Sequence, residues 1–220
     1  MNHDYSLETG EKYLLKIEGL PYTLPLPWVW ILGKDYDTRI ASLNLIGKIK
    51  WNTDLGKIIA KKIKDEFSSL EDTVIITVVE KALQLTQVVA EKLNMDDVVV
   101  AYNRVKPHME ISNRPVIQVG ADSITSGMKF LALYERDINL LATKRNVIII
   151  DDVVTTGGTV LAVLELLDQV SRLKKLSQPI EIKGIFCVAE EGKRKHVFPF
   201  PVHSLARLPD PEIRRPGSLK

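Results

Sequence analysis

The chain has 220 residues, of which 45% are hydrophobic and 26% charged, and its formal net charge is +2. This length suits one α/β domain with one elaboration, and the mild charge argues against nucleic acid as a partner. No apolar run reaches about 18 residues, and the single cysteine, Cys187, excludes an intrachain disulfide. The N-terminus lacks the basic start and apolar stretch of a signal peptide, so we expect a cytoplasmic protein without membrane contact.

The first 52 residues are irregular in pattern and rich in aromatic residues. Three prolines within GLPYTLPLPWVWILG predict only short extended pieces there. A helix is expected next, from an N-cap at Thr53 and Asp54 to about Phe67. Apolar residues recur across it at helical spacing: Leu55, Ile58, Ile59 and Ile63.

The middle of the chain predicts a βαβ unit. A β-branched run from Thr73 to Val79 suits a strand that is covered on both faces. A helical segment around LQLTQVVAEKL and a second strand, VVVAY, follow it. The segment from Asn103 to about Thr125 has no regular pattern, and we expect a functional or mobile loop there.

Two further strands are predicted, NVIIID and the stretch from Ile180 to Ala189. A helix from Thr159 to about Leu176 separates them. Alternation of strands and helices predicts the α/β class, with a parallel sheet that binds ligands at the carboxyl ends of its strands.

The strongest functional signal lies where the strand NVIIID ends. Asp151 and Asp152 come directly after its apolar residues, and small or hydroxyl-bearing residues follow at 155–159. Gly157 and Gly158 permit a tight turn at a helix start, where backbone N–H groups and threonine hydroxyls bind a phosphate. Two carboxylates repel a phosphate but bind sugar hydroxyls or Mg²⁺. The motif therefore predicts a ligand that carries a phosphate and hydroxyls side by side.

The stretch VIIIDDVVTTGGT resembles the ribose-phosphate motif of the type I phosphoribosyltransferases. The resemblance extends, less sharply, from about Leu43 to Leu208. Those enzymes bind phosphoribosyl pyrophosphate (PRPP) with Mg²⁺ and join its ribose to a nitrogenous base, releasing pyrophosphate. The resemblance implies their fold, a parallel sheet flanked by helices with a small hood built from the N- and C-terminal segments.

The resemblance also divides the chain. Residues 1–52 would contribute to the hood and to a dimer contact, because family members are usually homodimers. Residues 53–190 would form the core, with the flexible loop at 103–125. Residues 191–220 would complete the hood and the base pocket.

Carried over residue by residue, the resemblance assigns the PRPP site. Asp151 and Asp152 would contact the ribose hydroxyls and Mg²⁺, directly or through water, as catalytic residues. Lys81, in the catalytic role, would place a positive charge on the departing pyrophosphate. PRPP would also contact Glu80, Lys81 and Ala82 of the pyrophosphate loop, and Arg104 and Lys106 after the next strand. Its 5′-phosphate side would contact Val153 and Val154 and the phosphate loop that follows them, which consists of Thr155, Thr156, Gly157, Gly158 and Thr159. Many purine enzymes have Arg-Lys where this chain has Tyr102 and Asn103.

Two positions favour adenine as the base, with AMP and pyrophosphate as products. Thr155 stands where the 6-oxopurine enzymes commonly have an aspartate. Glu190 and Glu191 stand near a strand end where those enzymes place a lysine. A carboxylate accepts a hydrogen bond from an exocyclic amine but repels a carbonyl oxygen.

Other stretches favour a different purine. ASLNLIGKIKW and PVHSLARLPD resemble parts of bacterial xanthine phosphoribosyltransferases. In that alignment Asn44 would approach the base from the hood, and Leu208 would cover its face. An enzyme for xanthine, hypoxanthine or guanine therefore stays open beside the adenine enzyme, as does a PRPP-sensing purine regulator.

Overall fold

The computed structural model describes residues 8–33, 35–105, 116–120, 130–193 and 196–215. The strands in these ranges are β1 (Glu8–Leu15), β2 (Leu24–Ile31), β3 (Asp37–Ala41), β4 (Thr73–Val78), β5 (Val99–Ala101), β6 (Val116–Val119), β7 (Leu131–Tyr134), β8 (Asn146–Val154), β9 (Glu181–Glu190), β10 (Val202–Arg207) and β11 (Glu212–Arg214). The helices are α1 (Ile49–Glu66), α2 (Leu83–Lys92), α3 (Glu135–Ala142) and α4 (Gly158–Leu173). No helix in these ranges is long and apolar enough to cross a membrane.

A parallel sheet with the strand order β10-β9-β8-β4-β5 forms the centre of the molecule. Its inner strands are buried over most of their length, because helices cover both faces. Alternate strand residues point to opposite faces, so Ile148 and Ile150 pack with α1 and α2, whereas Val147 and Ile149 pack with α3 and α4. This architecture confirms the predicted α/β class with a parallel sheet flanked by helices.

A second, antiparallel sheet, which we call the hood sheet, has the order β1-β2-β3-β11 and pairs N-terminal strands with a C-terminal one. The expectation of only short extended pieces within GLPYTLPLPWVWILG is wrong, since β2 has eight residues. Pro25 and Pro27 are tolerated because the ladder between β2 and β3 begins only at Trp28. Their missing N–H groups therefore break no ladder bond to β3.

Helix α1 begins four residues earlier than the predicted N-cap at Thr53. Lys48 occupies the cap position, and the carboxamide of Asn52 donates to the carbonyls of Leu45 (2.6 Å) and Lys48 (3.0 Å). These bonds tie the preceding turn to the helix, so the first turn forms upstream of the expected start. Asp54 lies inside the helix and accepts a hydrogen bond from the Tyr22 hydroxyl.

The region expected to be a loop, 103–125, contains β6, which pairs antiparallel with β7. Residues 106–115 and 121–125 of that loop lie outside the described residues. The hairpin packs against α4, and α3 follows it directly. A hydrophobic period cannot be recognised over four residues, so the sequence pattern did not predict the hairpin of β6 and β7.

Candidate active site

A cavity of about 370 Å³ lies at the carboxyl ends of β4 and β8 and is bordered by β3 of the hood. Parallel strands end at the same edge of a sheet, and the loops that follow them enclose a binding site there. The lining residues are Ile40 to Leu43, Val78 to Lys81, Asn103, Asp151 to Val160, Glu191 and Leu208.

The paired carboxylates stand at the end of β8, as the motif predicts. Asp151 is half-buried and Asp152 is only 8% exposed, and both line the cavity. An oxygen of the Asp151 carboxylate accepts the backbone N–H of Asp152 at 2.9 Å. This contact holds the Asp151 side chain beside its own backbone, so its orientation is set before any ligand binds.

The phosphate loop follows β8 and leads into α4. Gly157 occupies the N-cap with a φ of +91°, a left-handed conformation that glycine adopts without steric cost. Among the described residues no side chain caps the helix, so none of them pairs with the first N–H groups of α4. Together with the exposed Thr155 and Thr156, they offer an anion site.

The loop after β4 forms the opposite wall. Glu80 and Lys81 line the cavity, whereas Ala82 is buried at the N-cap of α2 and does not. The N–H of Val79 donates to the carbonyl of Ala101 at 2.9 Å, which ties this loop to β5. Asn103, just beyond β5, therefore reaches the cavity from the neighbouring strand.

Of the two glutamates considered for the base, the structure places Glu191 in the cavity. Glu190 lies outside it and accepts a hydrogen bond from the Ser204 hydroxyl at 3.1 Å. Burial raises the pKa of the Glu191 carboxyl; the charge of Lys81 acts against that rise, and Asp210 adds to it. Lys81 and Glu191 thus interact electrostatically although they follow different strands.

Two other predicted contacts, Asn44 and Arg104, are not brought to the cavity lining. Asn44 is exposed, and its side-chain oxygen accepts the N–H of Ile46 at 3.1 Å. Asparagine often bonds its own backbone two residues on, and here that local bond keeps the side chain in a turn. Arg104 is exposed and does not line the cavity, and Lys106 lies outside the described residues.

The hood residues that do line the cavity, Ile40 to Leu43, were not predicted. They form no motif with one another, so their role depends on how the hood sheet sits above the core. Leu208, which was predicted, lies among them with 3% exposure, and its N–H donates to the carbonyl of Glu190.

Cys187 lies next to the site without taking part in it. The side chain is fully buried in β9, and burial together with the nearby Asp151 and Glu190 raises the pKa of its thiol. A neutral, inaccessible thiol is a poor nucleophile. The residue therefore packs in the core.

The donor set fits a metal that arrives with its substrate. Among the described residues, no group of three or more His, Cys, Asp or Glu side chains is arranged to hold an ion. Mg²⁺ typically binds one or two carboxylates and completes its shell with substrate phosphates and water. Asp151 and Asp152 supply that number of carboxylates beside the phosphate loop.

Comparison with known proteins identifies the family of the chain. A protein-family model, described as the phosphoribosyl transferase domain, matches residues 47–176, which is more than half of the chain. The chain therefore belongs to the phosphoribosyl transferase family. A search of curated proteins found no match.

Two solved structures of adenine phosphoribosyltransferases show the same fold at low identity. Adenine phosphoribosyltransferase from Thermoanaerobacter pseudethanolicus is 15% identical with a TM-score of 0.51, and the match covers 88% of this chain and 95% of that one. The Trypanosoma brucei adenine phosphoribosyltransferase, in complex with AMP, pyrophosphate and ribose-5-phosphate, is 17% identical with a TM-score of 0.52. That match covers 90% of this chain and 76% of the other. A Staphylococcus aureus hypoxanthine phosphoribosyltransferase is 14% identical with a TM-score of 0.43, covering 74% of this chain and 75% of the other.

Proposed function

We propose that the protein is a purine phosphoribosyltransferase that converts adenine and PRPP to AMP and pyrophosphate. One observation carries the proposal: a single cavity contains the paired carboxylates, the phosphate loop, Lys81 and Glu191. These groups match the successive parts of the two substrates. The family to which the chain belongs supports the transfer of a phosphoribosyl group.

PRPP would lie across the carboxyl edge of the sheet. Its 5′-phosphate would bind the residues of the phosphate loop, 155–159, and its ribose hydroxyls would bind Asp151 and Asp152. The pyrophosphate would then lie toward Glu80 and Lys81, at the end of β4. This orientation puts each anionic group of the ligand next to N–H groups or a cation, and each hydroxyl next to a carboxylate.

In the reaction, the bond between ribose C1 and a pyrophosphate oxygen breaks, a bond to a purine nitrogen forms, and that nitrogen releases its proton to water. Positive charge develops on the sugar in an oxocarbenium-like transition state. Lys81 stabilises the negative charge on the leaving pyrophosphate, and the carboxylates orient the ribose. Mg²⁺, when bound with PRPP, neutralises part of the pyrophosphate charge.

The purine would occupy the part of the cavity between the hood and the C-terminal segment. Leu43 and Leu208, each 3% exposed, offer apolar surface to the faces of a planar ring. Glu191 offers a carboxylate that accepts a hydrogen bond from the 6-amino group of adenine. These contacts support adenine over a purine that presents a carbonyl oxygen at that position.

A 6-oxopurine is the second candidate, and Lys81 is the observation that favours it. Its ammonium is near enough to influence the Glu191 carboxyl, so the cavity also contains a donor for a carbonyl oxygen. In that case Lys81 would serve the base rather than the pyrophosphate.

The test is a panel of bases. The purified protein is incubated with PRPP, Mg²⁺ and adenine, hypoxanthine, guanine, xanthine, orotate or uracil, and nucleotide formation is followed by chromatography. We expect AMP from adenine and much slower product formation from the others. Preferential use of hypoxanthine, guanine or xanthine would select the second candidate, and no nucleotide from any base would refute both.

A further inference from the structure

The wall behind the phosphate loop comes from a distant part of the chain. A Cβ atom built on Gly157 would lie 2.6 Å from Cζ and 3.3 Å from Cε2 of Phe198. Both distances are shorter than a normal contact between carbon atoms. The Phe198 ring therefore packs directly on the backbone of the turn, in space that only glycine leaves open.

Phe198 is itself held in place. It is 9% exposed and belongs to the same buried cluster as Val154 and Val160, which lie on either side of the turn. The ring of Phe200 stacks on it with the ring centres 5.5 Å apart and the planes 1° from parallel. The preceding residue, Val197, is 98% exposed and has no such role in packing.

We propose that Phe198 is a positioning residue for the phosphate loop, which holds the turn at Gly157 so that the N–H groups at the start of α4 stay directed at a phosphate. The inference rests on the proposed function, in which residues 155–159 bind the 5′-phosphate of PRPP. A site that is already ordered before binding loses less conformational freedom when the ligand arrives. Shortening the Phe198 side chain would leave a space behind the turn, and the loop would relax into it.

Binding of ribose 5-phosphate tests this role without requiring catalysis. Its Kd is measured by calorimetry for the wild type, Phe198→Leu, Phe198→Ala and the exposed neighbour variant Val197→Ala. Because displacements of about 1 Å can cost up to about 100-fold in function, we expect Phe198→Ala to weaken binding about tenfold or more. Phe198→Leu should have a smaller effect, and Val197→Ala should bind like the wild type.

Kinetics separate positioning from a general loss of stability. The KM for PRPP should rise in the Phe198 variants by a factor similar to that in Kd, with a smaller change in kcat. A residue that only stabilises the fold would lower the melting temperature but leave the Kd of the folded protein unchanged. That result for both Phe198 variants would overturn the inference, and Phe198→Leu suffices if Phe198→Ala does not fold.

Gly157→Ala provides a second, independent measurement. The strain of a side chain at a φ of +91° is the same in every background, but the contact with the ring disappears in Phe198→Ala. Gly157→Ala should therefore weaken ribose 5-phosphate binding by a smaller factor in the Phe198→Ala background than in the wild type. Equal factors in the two backgrounds would overturn the proposed contact.

The two proposals fail in different ways. A wild-type protein that does not bind ribose 5-phosphate would overturn the proposed function and this inference with it. A wild type that binds the ligand, together with Phe198 variants that bind it equally well, would overturn the inference alone.

Discussion

At the scale of single residues, the carboxylates at the end of β8 offer the most direct test of the site. We expect Asp151→Asn or Asp152→Asn to lower turnover about 100-fold or more, because a preorganised ionic contact to ribose or Mg²⁺ is lost. The side-chain shape is retained, and asparagine at 151 keeps an oxygen that can accept the N–H of Asp152. The melting temperature should therefore change little.

The matched control is Asp168→Asn, which makes the same change on the exposed surface of α4, where Asp168 pairs with Arg172. Steady-state kinetics and thermal unfolding are measured for all three variants. Near-normal turnover in both Asp151→Asn and Asp152→Asn would refute the assignment of the carboxylates.

Glu191 and its neighbour Glu190 form a natural pair of variants for base choice. Glu191→Lys replaces an acceptor in the cavity with a charged donor, so the ratio of kcat/KM for adenine to that for hypoxanthine should fall about 100-fold or more. Glu190→Lys should leave this ratio unchanged, because Glu190 bonds Ser204 outside the cavity. An unchanged ratio in Glu191→Lys would show that another group selects the base.

The raised pKa of Glu191 gives base choice a pH dependence. In the proposed base contact, the carboxylate above that pKa would accept from the amino group of adenine, whereas the carboxylic acid below it would donate to a carbonyl oxygen. The ratio of kcat/KM for adenine to that for hypoxanthine should therefore fall as the pH is lowered, beginning above the usual glutamate pKa of about 4.3.

Glu191→Gln is the control for this prediction, since glutamine does not titrate. The ratio of kcat/KM for adenine to that for hypoxanthine is measured across the acid range in the wild type and in the variant. A wild-type ratio that is as flat with pH as that of Glu191→Gln would contradict the assignment.

At the scale of elements, the packing of α1 on α2 depends on Gly56. A Cβ there would lie 2.6 Å from Cγ1 and 2.8 Å from Cβ of Val88. Alanine would gain roughly 1 kcal/mol in helix propensity but would lose about 1–3 kcal/mol by overpacking. We expect Gly56→Ala to lower the free energy of unfolding by about 1 kcal/mol.

Urea denaturation of a double-mutant cycle measures this contact. In the Val88→Ala background the nearer atom, Cγ1, is absent but Cβ remains at 2.8 Å, so Gly56→Ala should cost less free energy of unfolding than in the wild type. A Gly56→Ala variant that is more stable than the wild type would show that the helices are not packed closely at this point.

The helices and strands with long, buried hydrophobic patterns lie close to their predicted positions. β4, α2, β8, α4 and β9 lie within a residue or a few of their predicted bounds. Their hydrophobic patterns are long because both sides of the central sheet are covered. Strand β2 was missed because its prolines and aromatic residues form no simple period, and β3, β6, β7, β11 and α3 were missed because they are short.

At the scale of the whole molecule, the hood sheet has apolar side chains that nothing in the described chain covers. Ile31 of β2 and Ile213 of β11 both lie opposite Thr38 of β3, so they share one face, and they are 51% and 67% exposed. Exposed apolar residues on one face are typical of an interface. We expect a homodimer that uses this face.

Light scattering coupled to size-exclusion chromatography measures the assembly. The double variant Ile31→Lys/Ile213→Lys should shift the protein toward the monomer, because it places charges in the contact. Thr38 lies between the two positions, and Thr38→Ser serves as the control that keeps the face neutral. A wild type that is strictly monomeric and fully active would contradict the prediction.

The sequence by itself determined the parallel α/β core and the placement of two carboxylates and a glycine-containing turn at the end of β8. Both depend on residues that are close together in the chain: buried strands show as β-branched runs, and Asp151, Asp152 and the phosphate loop form one continuous motif. Local steric and hydrogen-bonding preferences act over such short separations, so the pattern carries their outcome.

Only the tertiary structure decided which residues surround the motif. It placed Glu191 rather than Glu190 in the cavity, kept Asn44 in a turn, and brought Ser42 of the hood and Phe198 of the C-terminal segment to the site. These contacts join residues that are far apart in sequence, and they depend on the register of the strands and on the packing of the hood. No local pattern encodes such pairings, because their free energy arises only when the whole chain is folded.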